Sequence, residues 1–311
     1  MDYLLAALGL TILVLAGDAL VRGAVNLALR LGIPALIVSL TIVAFGTSAP
    51  ELIVVVDGVL RGAPGLALGN IVGSNTANVL LVLGLPALIF GIGASNSDTR
   101  TSYATMLAGS VLFIALAFFG PFTWVHGLIL LAAFAAIQAQ QLHAARAQRR
   151  AARADELEGA DPAMRGWRIA AYLAAGLVGL PLGADLLVNS AVNIATRLGV
   201  SETVIGLTLV AVGTSLPELA TTVVAAFRRH AEVALGNVIG SNLFNLVFIM
   251  GVAGFFGTIP VDAAFLRFDL WVMLAATLLL APFALTGRAM GRWVGLGLTA
   301  GYAAYVLAIL T

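Results

Sequence analysis

The 311-residue chain is 61% hydrophobic and only 10% charged, with a mean hydropathy of +1.05. A soluble domain carries roughly 45–50% apolar and about 25% charged residues, so soluble, disordered and fibrous classes are excluded and a polytopic membrane protein remains. Cysteine is absent, which removes disulfides, thiolate chemistry and Cys-ligated zinc. All basic residues are arginine, and a net charge of +1 gives no argument for nucleic acid.

A membrane-crossing helix needs about 20 mostly apolar residues. In chain order the apolar stretches predict ten spans, at 3–28, 35–58, 65–90, 102–119, 122–142, 168–192, 203–226, 234–256, 268–285 and 292–310. The first begins at Tyr3 without a basic n-region or a small-residue cleavage site, so no cleaved signal peptide is expected. The second, third, seventh and eighth are interrupted by Gly and Pro. One polar stretch, 143–166, holds Arg146, Arg149, Arg150, Arg153 and Arg165 with Asp155, Glu156, Glu158 and Asp161. It divides the chain into a first five-helix unit at 1–142, a linker at 143–167 and a second five-helix unit at 168–311. Short basic loops face the cytoplasm. Arg30, Arg100, the linker, Arg228–Arg229 and Arg288–Arg292 fall on one side, and Arg61, Arg197 and Arg267 on the other. The linker is therefore expected inside and both termini outside. Trp124, Trp167, Trp271 and Trp293 lie near span ends as interface anchors.

Residues 18–84 align with 185–251 without a gap at a constant offset of 167, with 31 identical pairs in 67 positions. LTIVAFGTSAPEL (Leu40–Leu52) answers LTLVAVGTSLPEL (Leu207–Leu219), and LGNIVGSNTAN (Leu68–Asn78) answers LGNVIGSNLFN (Leu235–Asn245). The offset contains five spans. An odd number reverses the direction of each copy, so the expected fold is all-α, ten transmembrane helices as two inverted-topology five-helix repeats. That architecture recurs in secondary transporters, where two oppositely oriented halves exchange shapes about a fixed central site.

Glu51 and Glu218 each sit inside an apolar span, where burying a charge costs several kcal/mol by most estimates. Each follows Gly-Thr-Ser-x-Pro. The proline removes an N–H and clashes with the carbonyl one turn back, so the helix should break and free carbonyls at Ala44, Phe45, Ala211 or Val212. Asn70, Gly73, Ser74 and Asn78 share one helical face, as do Asn237, Gly240, Ser241 and Asn245. Two carboxylates among neutral hydroxyl, amide and carbonyl oxygens suit a hard cation such as Ca²⁺, and the soft ligands of copper or zinc are missing. Two glutamates offset one Ca²⁺. Without it, like charges at close range call for Na⁺ or H⁺ in its place, which favours exchange over a leaking pore. Asp18 and Arg22, one turn apart, read as a structural or gating pair, whereas Asp185 has Asn189 in place of a basic partner.

The paired GTSxPE and GNxxGSN motifs resemble the alpha repeats of the calcium/cation antiporter superfamily, and the prokaryotic sodium/calcium exchanger branch most of all. The resemblance covers both repeats and nearly the whole chain. It implies exchange of cytosolic Ca²⁺ for external Na⁺ across the inner membrane, with three Na⁺ per Ca²⁺ and hence net charge movement. It implies that Glu51 and Glu218 bridge the ions, and that Thr47, Ser48, Thr214 and Ser215 add hydroxyl or carbonyl oxygens. Ala44 and Ala211 would supply carbonyls, Ser74 and Ser241 hydroxyls, and Asn78 and Asn245 the last polar ligands. Many relatives carry Asp in the second copy where this chain has Asn245, so one ionisable group is missing.

Three readings compete: Na⁺-driven Ca²⁺ extrusion, H⁺-driven exchange of Ca²⁺ or another divalent ion, and a channel or structural membrane protein. The inverted repeat and twin broken helices disfavour the third. No GxxxxGK[ST] is present, so an ATPase is not expected. The chain is expected to be no enzyme, to need no cofactor beyond its transported Ca²⁺ and Na⁺ or H⁺, and to have the lipid bilayer as its partner, with no nucleic acid and no obligatory protein.

Overall fold

The computed structural model describes residues 1–94, 99–148, 161, 163–199 and 211–310. Apart from a three-residue turn, the described residues form eleven helices: α1 (Asp2–Leu31), α2 (Ala35–Thr47), α3 (Ala49–Leu60), α4 (Pro64–Ile89), α5 (Arg100–Phe118), α6 (Trp124–Gln148), α7 (Gly166–Arg197), α8 (Leu216–Phe227), α9 (Ala231–Ala253), α10 (Phe265–Thr286) and α11 (Arg292–Leu310). Among the described residues eight are long and apolar enough to cross a membrane, and α2 with α3, bent by 44° at their break, make nine when counted as one span. The tenth expected span is represented by α8 and a short turn at Ala211–Gly213. Residues 203–210 of that span lie outside the described residues, as do Arg149, Arg150, Arg153, Asp155, Glu156 and Glu158 of the linker.

Helix ends follow local chemistry. α1 stops at Gly32, whose φ of 65° is open to glycine, and the amide there returns to the carbonyls of Ala28 and Leu29. Prolines open α3 and α4, where their missing N–H costs no intrahelical bond. α4 and α9, which carry the GNxxGSN motifs, form the centre: 78% and 94% of their apolar windows are buried, against 33% or less for α1, α7, α10 and α11. The outer helices leave their apolar faces exposed, as lipid-facing surfaces do. The four tryptophans stand exposed, with Trp124, Trp167 and Trp293 within a residue of a helix start.

The inverted relation is visible in the packing of α1 on α7. Gly9 meets Gly183 and Leu187, Gly183 meets Leu13, Gly176 meets Leu20, and Gly23 meets Leu173. As one number rises the other falls, so the two repeat mates run antiparallel. The approach is close: a Cβ on Gly183 would lie 2.9 Å from the Leu13 nitrogen, and one on Gly176 2.5 Å from the Leu20 Cβ. Small residues let helix backbones meet where lipid supplies no hydrophobic drive. Asp2 and Arg197 close the far end of this pair at 2.6 Å. The loops carry the same symmetry. Ile92 bridges to Met290 and Phe122 to Ile259, and Ile259 is the mate of Ile92 at the offset of 167.

Candidate functional site

The site is built on two broken helices. Pro50 and Pro217 stand at the start of α3 and α8, so the carbonyls four residues back, at Gly46 and Gly213, lose their intrahelical donors. The chain turns at Ser48 (φ −86°, ψ 7°) and again at Ser215 (φ −85°, ψ 4°), nearly the same geometry 167 residues apart. The expected free carbonyls were at Ala44, Phe45, Ala211 or Val212. Two of these are engaged instead: Ala44 accepts from the Ser48 amide at 3.0 Å and the Thr47 hydroxyl at 3.3 Å, and Val212 accepts from the Ser215 amide at 3.1 Å. The break thus falls just after these turns, at the glycines that a proline four residues on leaves without a donor. Glu51 and Glu218 occupy the first turn of the following half-helix, where the positive end of the helix dipole favours a carboxylate.

Both glutamates are fully buried. Neither belongs to the ion pairs found among the described residues. Partners cross between repeats. Glu218 Oε1 accepts from Ser48 Oγ at 3.0 Å and from Ser241 Oγ at 3.4 Å. The Thr47 hydroxyl shares its one hydrogen between the Ala44 carbonyl and Asn237 Oδ1, 3.2 Å away, and lies 3.4 Å from Ser241 Oγ. Asn70 donates to Thr214 at 3.3 Å, and Asn78 donates to Asn242 Oδ1 at 3.0 Å. Thr47, Ser48, Glu218 and Ser241 are thus brought together directly. Ala211 lies in the short helical turn beside residues outside the description.

The other expected residues share a different property. Both Glu51 oxygens, Glu218 Oε2, the hydroxyls of Ser74 and Ser215, Asn78 Oδ1 and both side-chain polar atoms of Asn245 are buried without a hydrogen-bond partner in the protein. Native proteins leave few such groups, and each costs about 1–3 kcal/mol. Glu51 with Glu218 and Asn78 with Asn245 are mates at the 167 offset, whereas the mates of Ser74 and Ser215 donate to Glu218, and all but one of these partnerless atoms are oxygens. Among the described residues no three His, Cys, Asp or Glu gather into a fixed metal cluster. Two carboxylates in a shell of neutral oxygens can hold a hard cation and release it.

Three contributors were not on the expected roster. Asn75 and Asn242, the asparagines of the GSN motifs, are buried, and Asn242 ties Asn78 to the Asn75 carbonyl at 3.3 Å. Their duplication at the 167 offset was a usable signal. Thr222 accepts from Asn237 at 3.1 Å, but its mate is Val55, so no repeat pattern marks it. π-helical turns at Asn78–Leu83 and Phe244–Ile249 begin at or beside Asn78 and Asn245. Such turns cluster at functional positions in helices.

Away from the centre, Asp18 pairs with Arg22 at 2.9 Å and also with Arg228. Asp185 accepts from Asn189 at 3.0 Å. Asp57 is exposed and pairs with Arg61 at 2.7 Å. His126 lies 3.1 Å from the Thr123 hydroxyl.

Comparison with known proteins matches residues 1–142 and 168–311 to the family described as sodium/calcium exchanger protein. The chain is 35% identical to the putative antiporter CaxA of Alkalimonas amylolytica, over 88% of this chain and 86% of that one. It is 33% identical to the sodium/calcium exchanger MaX1 of Methanosarcina acetivorans, over 99% and 98%. Its fold matches a structure of the sodium-calcium exchanger NCX_Mj with a TM-score of 0.83 and 31% identity, covering 100% of this chain and 98% of that one.

Proposed function

The chain belongs to the sodium/calcium exchanger protein family, and from that premise we propose that Glu51 and Glu218 are the shared carboxylates of one central site that carries Ca²⁺ and Na⁺ in turn. The chain is a secondary active Na⁺/Ca²⁺ antiporter, not an enzyme, set as a multi-pass protein in the inner membrane. Thr47, Ser48, Thr214, Ser215, Ser74, Ser241, Asn78 and Asn245 complete the oxygen shell, with backbone oxygens from the Ala44 and Ala211 turns. The observation that carries this reading is a set of partnerless buried oxygens on the helices that hold two mated glutamates, neither of which pairs with a cationic side chain among the described residues. A pair of carboxylates balances one Ca²⁺. Several Na⁺ can replace it at the same oxygens, so that one ion leaves as the others enter.

In this reading 1–142 and 168–311 are the two oppositely oriented units. The 143–167 linker lies in the cytoplasm and both termini outside. Sodium entering drives Ca²⁺ out with net charge movement. Direct binding tests the site. Ca²⁺ should raise the thermal stability of the purified chain, and Na⁺ should compete. Both effects should vanish in the Glu51→Gln/Glu218→Gln double variant. Undiminished Ca²⁺ stabilisation of that variant would move the site elsewhere.

A further inference from the structure

The two repeats are alike in sequence, yet their charged ends are engaged differently. Asp18 on α1 holds two arginines, Arg22 one turn along and Arg228 at the end of α8. The three side chains are 27–44% exposed. Around this cluster α1 lies directly on α8, and a Cβ on Gly17 would sit 3.2 Å from the Ala220 carbonyl oxygen. The mates at the 167 offset are Asp185 for Asp18, Asn189 for Arg22 and Arg61 for Arg228. Asp185 is exposed and takes its hydrogen bond from Asn189, while Arg61 turns to Asp57 on its own helix. No comparable packing joins α7 to α3 among the described residues, and Ile53, the mate of Ala220, is 68% exposed. One end of the molecule is therefore drawn together and the mated end is not.

We infer that Asp18–Arg228 is a latch that holds α1 to α8, and that Asp185–Arg61 is its mate, made when the first latch opens. The inference rests on the antiporter reading, in which inverted repeats exchange conformations about the central site. When α7 takes the position on α3 that α1 holds on α8, Ala184 comes against Ile53, and Asp185 reaches the arginine equivalent to Arg228. The two latches are unequal by sequence. Arg22 shares Asp18 with Arg228, while its mate Asn189 carries no charge. Asp57 competes for Arg61, but its mate Val224 cannot compete for Arg228. The competition from Asp57 favours closure at the Arg228 end, whereas Arg22 keeps a partner for Asp18 whether that latch is closed or open. The positioning residues Asp18, Arg228, Asp185, Arg61 and Asp57 thus set the resting balance between the two states without touching the transported ion.

The chain has no cysteine, so introduced thiols report alone. A thiol pair at Ile53→Cys and Ala184→Cys should cross-link only when the mate latch is closed. In liposomes, its rate should rise about fivefold with Asp18→Asn, Arg228→Gln or Asp57→Asn, the factor expected of a half-exposed ion pair. It should fall with Asp185→Asn. Exchanging the charges, Asp18→Arg with Arg228→Asp, in an Arg22→Asn background where no like charge faces the new arginine, should bring the rate back toward that of Arg22→Asn alone. A rate indifferent to Asp18→Asn and Arg228→Gln would overturn the inference, as would no cross-link in any background or no restoration by the exchanged pair. Because the readout is proximity, a failure here is distinct from a failure of Na⁺-driven Ca²⁺ flux in the unaltered chain.

Discussion

Replacing Glu218 by Gln isolates one negative charge while leaving the local frame in place. The side chain is fully buried, and its Oε1 accepts from Ser48 and Ser241. A glutamine carbonyl can accept both bonds. The backbone turn at Ser215 is set by Pro217 and does not depend on the charge. What changes is the balance at the site, where one carboxylate then faces a divalent ion. Leaving a buried charge uncompensated costs about 3–5 kcal/mol, so Ca²⁺ affinity should fall by roughly 10²-fold or more. The assay has two arms. Ca²⁺ exchange in proteoliposomes should drop to near background. Thermal unfolding without Ca²⁺ should be unchanged or occur at higher temperature, since a repulsive pair has been removed. The stabilisation that Ca²⁺ gives the unaltered chain, about 2.7 kcal/mol at a hundred times the dissociation constant, should disappear. Normal exchange by a monodisperse Glu218→Gln protein would refute the reasoning. A collapse in expression would make the glutamate structural.

The remaining expectations concern other parts of the site. Clamping the membrane potential should change the exchange rate, because each net charge moved is worth about 2.3 kcal/mol per 100 mV; a rate indifferent to potential would mean neutral exchange. Asn245→Asp adds a titratable group at the centre, so transport should persist but vary more steeply with pH than in the unaltered chain. Asn245→Leu should do worse, because it removes an oxygen from the shell, and identical pH profiles and rates for all three would place Asn245 in packing alone. Gly240→Ala should slow exchange strongly, since the added methyl would sit 2.6 Å from the Ala44 Cβ and 2.7 Å from the Leu40 carbonyl oxygen, forcing α9 away from the α2 break. Unchanged exchange by that variant would show that the contact has slack.

Much of the fold is legible in the sequence because a bilayer demands long apolar helices, and because duplication writes the same instruction twice. Glu51 and Glu218 stand out for the same reasons: a buried charge in an apolar span is costly, and each follows a proline. Positions of side chains relative to one another are less legible. Ala44 was expected to offer a free carbonyl, yet its oxygen takes both the Ser48 amide and the Thr47 hydroxyl. The π-helical turns at Asn78 and Asn245 depend on packing and carry no local signature. The bond from Asn237 to Thr222 was invisible because Val55 breaks the repeat there. The Asp18–Arg228 pair was invisible for a related reason. Duplication predicts what the halves share, whereas that contact belongs to the state in which they differ.

The most direct test of the account is Ca²⁺ movement into proteoliposomes of the purified chain under separately imposed Na⁺ and H⁺ gradients. An outward Na⁺ gradient should drive Ca²⁺ uptake, a pH gradient alone should not, and removal of Na⁺ should abolish uptake. Uptake that follows the pH gradient and persists at zero Na⁺ would contradict sodium coupling and leave the proton-driven antiporter in its place.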